Sequence, residues 1–134
     1  MNEFVETALK AGTRAVCVIS AGFAEVGAEG VQRQEELLAL IRGYGARLIG
    51  PNCVGLYSAA SRMNATFAPR SFPPGRVGVS SQSGAVGLAL LERAHDHGLG
   101  FSNFVSIGNK ADVSTNDLIE WWEADPDTDV AVLY

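Results

Sequence analysis

The chain holds one stretch in which small polar side chains meet a glycine at a point where a backbone could open, Ser80-Ser81-Gln82-Ser83-Gly84. Residues of this kind can do three things: supply a nucleophilic serine, cradle an anion, or merely turn the chain. The nucleophile reading fails on spacing. A nucleophile elbow needs glycines two positions either side of the serine, and Ser81 and Ala85 stand there around Ser83. The histidines His95 and His97 would have to act as base, but His95 lies roughly 18 Å along the same expected helix at 1.5 Å per residue. A base must come within hydrogen-bonding distance. An anion cradle needs free first-turn amides, hydroxyl donors and the positive end of a helix, and this stretch supplies all three. Gly84 and Ala85 leave the approach unobstructed. A plain helix cap by Ser81 or Ser83 accounts for the same residues equally well.

Three more segments share this character: "ISAGF" (19–23), "GPNC" (50–53) and "IGNKAD" (107–112). Each follows an apolar run, and in open α/β sheets ligands bind outside the carboxyl ends of the strands. In "GPNC", Pro51 restricts the backbone and Asn52 offers an amide. Cys53 is a small thiol that could line a narrow channel, although inert burial is its commoner fate. Lys110 and Asp112 could form an exposed ion pair or edge a site, with Asn109 beside them. Trp121 and Trp122 read as core or interface anchors. No His, Cys, Asp and Glu spacing supports a metal site.

Composition narrows the function classes. Formal charge is −5, and Lys10 and Lys110 are the only lysines. Neither feature suits a non-specific nucleic-acid or membrane-surface binder. Cys17, in an apolar run, and Cys53, in a glycine-rich turn, do not make a disulfide framework. With no leader pattern and no apolar stretch of about 18 residues, a cytoplasmic protein is expected. At 47% hydrophobic and 19% charged residues the chain is ordinary for a folded domain.

The elements that must position these segments follow from periodicity. Runs 14–20, 46–50, 76–81, 101–108 and 129–134 are apolar without strict alternation, as expected of parallel strands covered on both faces. Helix patterns lie between them. "EFVETALKAG" opens the chain with Phe4, Val5, Ala8 and Leu9 on one face and Gly12 as its stop. Leu37, Leu38, Ile41 and Tyr44 share a face in the next helix. A third helix begins after Ser83, with Arg93, His95 and His97 suiting its negative end. A fourth starts at an [ST]-x-x-[DE] cap, Ser114 to Asp117, and stops at Asp125-Pro126. This alternation predicts an α/β fold of doubly wound parallel sheets. The segment 52–75 is too long for an ordinary βα connection. It reads as an interdomain crossing with a short strand around Met63 to Phe67.

Taken in order, "VISAGFAEVGAEG", "RLIGPNCVGL", "MNATFAP", "GRVGVSSQSGAVG" and "GFSNFVSIGNKADVSTNDLIEWWEADPDT" resemble the nucleoside-diphosphate-forming acyl-CoA synthetases of the succinyl-CoA synthetase superfamily. The resemblance is greatest to the ADP-forming acetate–CoA ligase type, and it runs over almost the whole chain. It implies a Rossmann-like CoA-binding domain ending within residues 1–57, a crossing over 58–71, and the front part of a flavodoxin-like ligase domain over 72–134. It implies CoA contacts at Ile19, Ser20, Ala21, Asn52 and Cys53, and a phosphate or phosphohistidine contact at Ser81, Gln82, Ser83 and Gly84. Asn109, Lys110 and Asp112 would stand at the edge of the active site.

The same resemblance implies CoA, ATP or ADP and Mg²⁺ as cofactors of a parent protein, with a carboxylic acid as substrate and an ATP-grasp domain or subunit as partner. The parent would make acyl-CoA through an acyl phosphate and a phosphohistidine. Neither His95 nor His97 matches that histidine, and the first Rossmann glycine-rich loop and the acid orienting the histidine are not found here. The chain is therefore expected to be a piece of such an enzyme, inactive alone, holding no cofactor tightly and self-associating through unpaired sheet edges. An acyl-CoA-sensing regulatory region of a protein lysine acetyltransferase is the alternative. A receiver-like or FMN-binding module ranks below both, because "ISAGF" lacks a receiver's acidic pair.

Overall fold

The computed structural model describes residues 1–69 and 71–134. All five expected strands form, as β1 (Ala15–Cys17), β2 (Arg47–Ile49), β5 (Pro74–Ser81), β6 (Phe101–Ser106) and β7 (Val130–Leu133). Four helices separate them: α1 (Asn2–Lys10), α2 (Ala28–Gly43), α3 (Gly84–Asp96) and α4 (Thr115–Glu123). A single 3-10 turn, Ala24–Val26, precedes α2. Among the described residues no helix is long and apolar enough to cross a membrane.

Two sheets result. In the first, β1 pairs parallel with β2, Cys17 opposite Ile49. Leu9 of α1 and Leu37 and Ile41 of α2 bury Val18, Phe23, Ala46 and Leu48 against it. The expected α1 and α2 faces are each too wide by one residue. Phe4 is 84% exposed and Tyr44 is 44% exposed. The Tyr44 hydroxyl instead donates to Glu6 on α1, a better outcome for a phenol than burial without a partner.

With β3 (Gly55–Ser58) and β4 (Met63–Thr66), the second sheet has the order β4-β3-β6-β5-β7. Its β6·β5·β7 portion is parallel, as the apolar runs predicted. Beside β6 lie β3 and β4, an antiparallel hairpin. The stretch expected as a crossing thus contributes strands to the second sheet, and the strand foreseen near Met63 is β4. The period-2 signal of β3 was hidden because four residues, Gly-Leu-Tyr-Ser, are too few to show it. Its Leu56 faces Val105 and Ile107 on one side, and Tyr57 faces Phe72 and Phe104 on the other.

Both faces of this sheet are covered. On one, Leu91 and Ala94 of α3 pack on Val79 and Phe104, with Phe72 stacked on Tyr57 at 4.8 Å between ring centroids. On the other, Leu118 and Trp122 of α4 cover Val105 and Ile107. Gly78 is the reason Trp122 can lie so near the strand, since a Cβ there would come within 2.7 Å of the indole. Both α3 and α4 start at caps legible in the chain. Ser83 Oγ accepts from the Val86 amide at 3.3 Å, and Ser114 and Asp117 form a reciprocal capping box.

The two sheets are joined by one ion network. Asp112, its side chain fully buried, accepts from Arg42 at 2.6 Å, Arg47 at 2.9 Å and the Leu48 amide at 2.8 Å. Arg47 continues to Asp117 on α4 at 2.9 Å. Burial alone would raise the Asp112 carboxyl; Arg42, the Leu48 amide and Arg47 outweigh it and hold the group below the ordinary aspartate value. The exposed Lys110–Asp112 pair that the spacing allowed does not form, because Arg42 of α2 and Arg47 of β2 reach the carboxylate instead.

Candidate functional site

The carboxyl ends of the strands are woven together by backbone hydrogen bonds. The Asn52 amide donates to Ser20 O at 3.0 Å, Asn109 N to Pro51 O at 2.8 Å, Ala111 N to Gly50 O at 3.1 Å, and Ile107 N to Ser81 O at 2.9 Å. The Val54 amide donates to the Ser106 hydroxyl at 3.0 Å. All four segments singled out by residue type therefore meet at one edge. Gly108 makes the approach possible: its φ is +53°, and a Cβ there would lie 2.1 Å from Pro51 O.

A cavity of about 350 Å³ opens at this edge, lined by Ile19, Asn52, Cys53, Val54, Phe67, Gln82, Ser83 and Gly84. It unites residues expected to touch CoA (Ile19, Asn52, Cys53) with residues expected to hold phosphate (Gln82, Ser83, Gly84). Its wall mixes apolar Ile19, Val54 and Phe67 with the amides of Asn52 and Gln82 and the Ser83 hydroxyl. Asn52 is held at φ +57°. Phe67, 59% exposed, was missed as a site residue because it sits in the irregular tail of the β4 hairpin, where no period marks it.

The cap and the cradle turn out to be compatible. Ser83 uses its hydroxyl for Val86, while Gly87 N closes the first helical bond to Ser83 O at 3.0 Å. Among the described residues the Gly84 and Ala85 amides have no acceptor, and they stand in α3's first turn at the positive end of the helix. Gln82 N is engaged by Tyr134 O at 2.9 Å, leaving the Gln82 side chain exposed. Ser81 differs from expectation. It is 1% exposed and donates to Ser83 O at 2.7 Å, so it shapes the turn and does not line the cavity. His97 caps the far end of α3, a full helix away from Ser83, as the spacing required.

Ala21 is exposed and borders a second cavity, of about 530 Å³, with Gly22, Phe23 and Arg33. Ser20 contributes its carbonyl to the weave described above. Asn109 lies at the centre of a polar relay. Its amide donates to Glu25 at 2.6 Å and to Gln34 at 3.0 Å, and its oxygen accepts from Asn52 at 3.3 Å. Glu25 also accepts the Gly22 and Phe23 amides. The Asn109 amide is the largest of several donors that hold the Glu25 carboxyl down to about 2, against desolvation, the next strongest influence. Glu25 and Gln34 were not singled out in the sequence. Only folding brings Asn109 to them, across 84 and 75 positions of chain. Lys110 is exposed at φ +54° and makes no side-chain contact with this group.

No group of three or more His, Cys, Asp or Glu side chains that could hold a metal ion occurs among the described residues.

Known proteins resemble this chain in sequence and in fold. Residues 74–134 match the succinyl-CoA ligase like flavodoxin domain. An ADP-forming acetate–CoA ligase I of Archaeoglobus fulgidus is 45% identical over 117 residues, covering 87% of this chain and 17% of its own length. The alpha subunit of ADP-forming acetate–CoA ligase I from Pyrococcus furiosus is 40% identical over 92% of this chain and 27% of its own. The apo structure of acetyl-coenzyme A synthetase 1 from Ca. Korarchaeum cryptofilum superposes with a TM-score of 0.94 at 40% identity, over 99% of this chain and 29% of that one. That enzyme has also been solved with phosphate and ADP, and this form superposes with a TM-score of 0.90. The chain thus spans between about a sixth and a third of the length of these relatives.

Proposed function

The chain belongs to the NDP-forming acyl-CoA synthetases, and from that membership we propose that it works as the segment of an ADP-forming acyl-CoA ligase in which CoA and phosphate sites meet. The whole enzyme would convert a carboxylic acid, CoA and ATP to acyl-CoA, ADP and phosphate, in a cytoplasmic setting and with an ATP-grasp domain or subunit as partner. One observation supports this reading above the others: a single cavity is lined both by Asn52 and Cys53 and by the first turn of α3. The division into a CoA-binding part, residues 1–57, and a ligase part, residues 72–134, belongs to the same reading, with the β3–β4 hairpin lending strands to the second sheet.

The residues fit the groups they would hold. The Gly84 and Ala85 amides can donate to phosphate oxygens, favoured by the helix end. Side-chain bulk at Gly84 would be felt at once, since a Cβ there would come within 2.8 Å of Val54 on the cavity wall. Asn52 and Ile19 offer an amide and an apolar rim to the thiol end of a pantetheine chain. CoA, when bound, supplies the thiol that accepts the acyl group, and nucleotide with Mg²⁺ would be held by the partner domain. The relay Glu25–Asn109–Asn52 orients the Asn52 side chain at the rim. An acetyltransferase-linked sensor finds no support in the relatives described above, which are named as ligases or as a synthetase.

The reading is tested by titrating ¹⁵N-labelled protein with inorganic phosphate. The Gly84 and Ala85 amide resonances should shift in a saturable manner, and Gly84→Val should abolish the response. Shifts spread evenly over the surface, or unchanged by Gly84→Val, would refute it.

A further inference from the structure

Cys17 and Cys53 lie far apart in the chain, yet their sulfurs are 3.8 Å apart. The fold makes this contact in two steps. Parallel pairing sets Cys17 opposite Ile49, and the Val18 amide extends the ladder to Ile49 O at 3.0 Å. The turn at Gly50–Pro51 then folds the chain back, so that Asn52 N reaches Ser20 O and Cys53 Sγ comes within 3.4 Å of Val18 O. Gly50 admits this packing. Its φ is +92°, and a Cβ there would stand 2.5 Å from Val18 O and 3.1 Å from the Cys53 sulfur. Both cysteines are free thiols, Cys17 half-buried and Cys53 buried. Cys53 nevertheless lines the 350 Å³ cavity, so a small reagent can approach the residue from there.

We propose that Cys17 and Cys53 are a modification site, an oxidisable dithiol at the wall of the strand-end cavity that a hydroperoxide closes to a disulfide. The Cys53 sulfur attacks one peroxide oxygen, the O–O bond breaks, and the other oxygen leaves as water with the thiol proton. Cys53 is then a sulfenic acid. The Cys17 sulfur attacks the Cys53 sulfur, the S–O bond breaks, and the hydroxyl departs as a second water with the Cys17 proton. Two thiols lose two electrons and two protons, and one hydrogen peroxide becomes two waters. A disulfide needs the sulfurs at about 2.05 Å, so the 3.8 Å contact has to close by somewhat less than 2 Å.

The order of events follows from the surroundings. The hydrogen bond from Cys17 lowers the Cys53 thiol, against the opposing effect of burial, while the same bond and burial push Cys17 up. The thiolate nucleophile is therefore Cys53, the cysteine that lines the cavity. Closing the bond ties the end of β1 to the turn after β2 and withdraws the thiol from the cavity wall. None of this depends on the ligase reading.

Hydrogen peroxide treatment of the 134-residue chain, followed by alkylation with N-ethylmaleimide and mass measurement, tests the proposal. The expected product has lost two hydrogens and takes up no maleimide. Its Cys17 and Cys53 peptides should be cross-linked, and dithiothreitol should restore both thiols. In Cys17→Ser the reaction should stop at a Cys53 sulfenic acid, trapped by dimedone, and Cys53→Ser should give no dimedone adduct. Denaturation in urea before peroxide should remove the preference for the intramolecular product. The proposal is overturned if both thiols stay alkylatable after peroxide, if only disulfides between chains form, or if wild type accumulates the dimedone adduct as Cys17→Ser does.

Discussion

Glu25 shows how much one side chain can organise without being part of a motif. Its carboxylate gathers the Gly22 and Phe23 amides and the Asn109 side chain, and so ties the loop after β1 to the loop after β6. Because its folded pKa, about 2, lies below the ordinary glutamate value, its contribution to stability is present above that value and fades as pH falls through the acid range. Glu25→Gln should flatten the acid limb of stability between about pH 4.5 and pH 2, read from urea unfolding at several pH values. An unchanged acid limb would show that Glu25 is not held this way. Ser83 makes a second point at this scale, because capping and anion binding need not compete. Ser83→Ala should lower stability by about 1 kcal/mol through the lost Val86 bond. Thermal unfolding measures this, and the phosphate response of Gly84 should survive in the variant.

At the scale of elements, the two sheets communicate through loops whose shapes are set by close approach. Gly108 has to be glycine for the "GNKAD" loop to lie on Pro51, so Gly108→Ala should destabilise the chain. It should also move the amide resonances of Asn52 and Cys53, which distinguishes a displaced turn from a general loss of packing. Asp112 carries a different load. Its removal leaves the Leu48 amide unsatisfied and two arginines without their shared partner. The arginines are half exposed and can rehydrate, so Asp112→Ala should cost about 1–3 kcal/mol, not the larger penalty of a fully buried pair. Chemical denaturation measures it, and a change below a few tenths of a kcal/mol would contradict the assignment.

For the molecule as a whole, the second sheet ends in β4 on one side and β7 on the other. Val130, Leu133 and Tyr134 are 53, 48 and 65% exposed along the β7 edge. Unpaired strand edges with apolar side chains favour pairing with another copy. Sedimentation of the 134-residue chain should show concentration-dependent association, and a monomer at all concentrations would contradict this. CoA affinity is a property of the same scale. A first sheet of only β1 and β2 offers few contacts, so calorimetry should find weak or undetectable CoA binding to these residues, and a micromolar dissociation constant would overturn that expectation.

Residue order alone determined every described strand but β3, the starts of α3 and α4, and the chemistry of the junctions. Those features are local: apolar runs, the Ser83 and Ser114 caps, and glycines and small polar residues where the chain leaves a sheet. The resemblance to the acyl-CoA synthetases rested on the same junctions. Tertiary structure decided which of them meet. Cys17 and Cys53 read as unrelated because contact through a parallel pair and a reversed turn leaves no mark on spacing. Asp112 is open in the sequence to an ion pair with Lys110 or a place at the site edge, because the arginines that hold it lie 65–70 positions away. Ser81 stands among the phosphate contacts that the resemblance implies, whereas the fold turns its hydroxyl inward to Ser83 O. Local signals specify what a segment can do, and long-range packing specifies the group with which it does it.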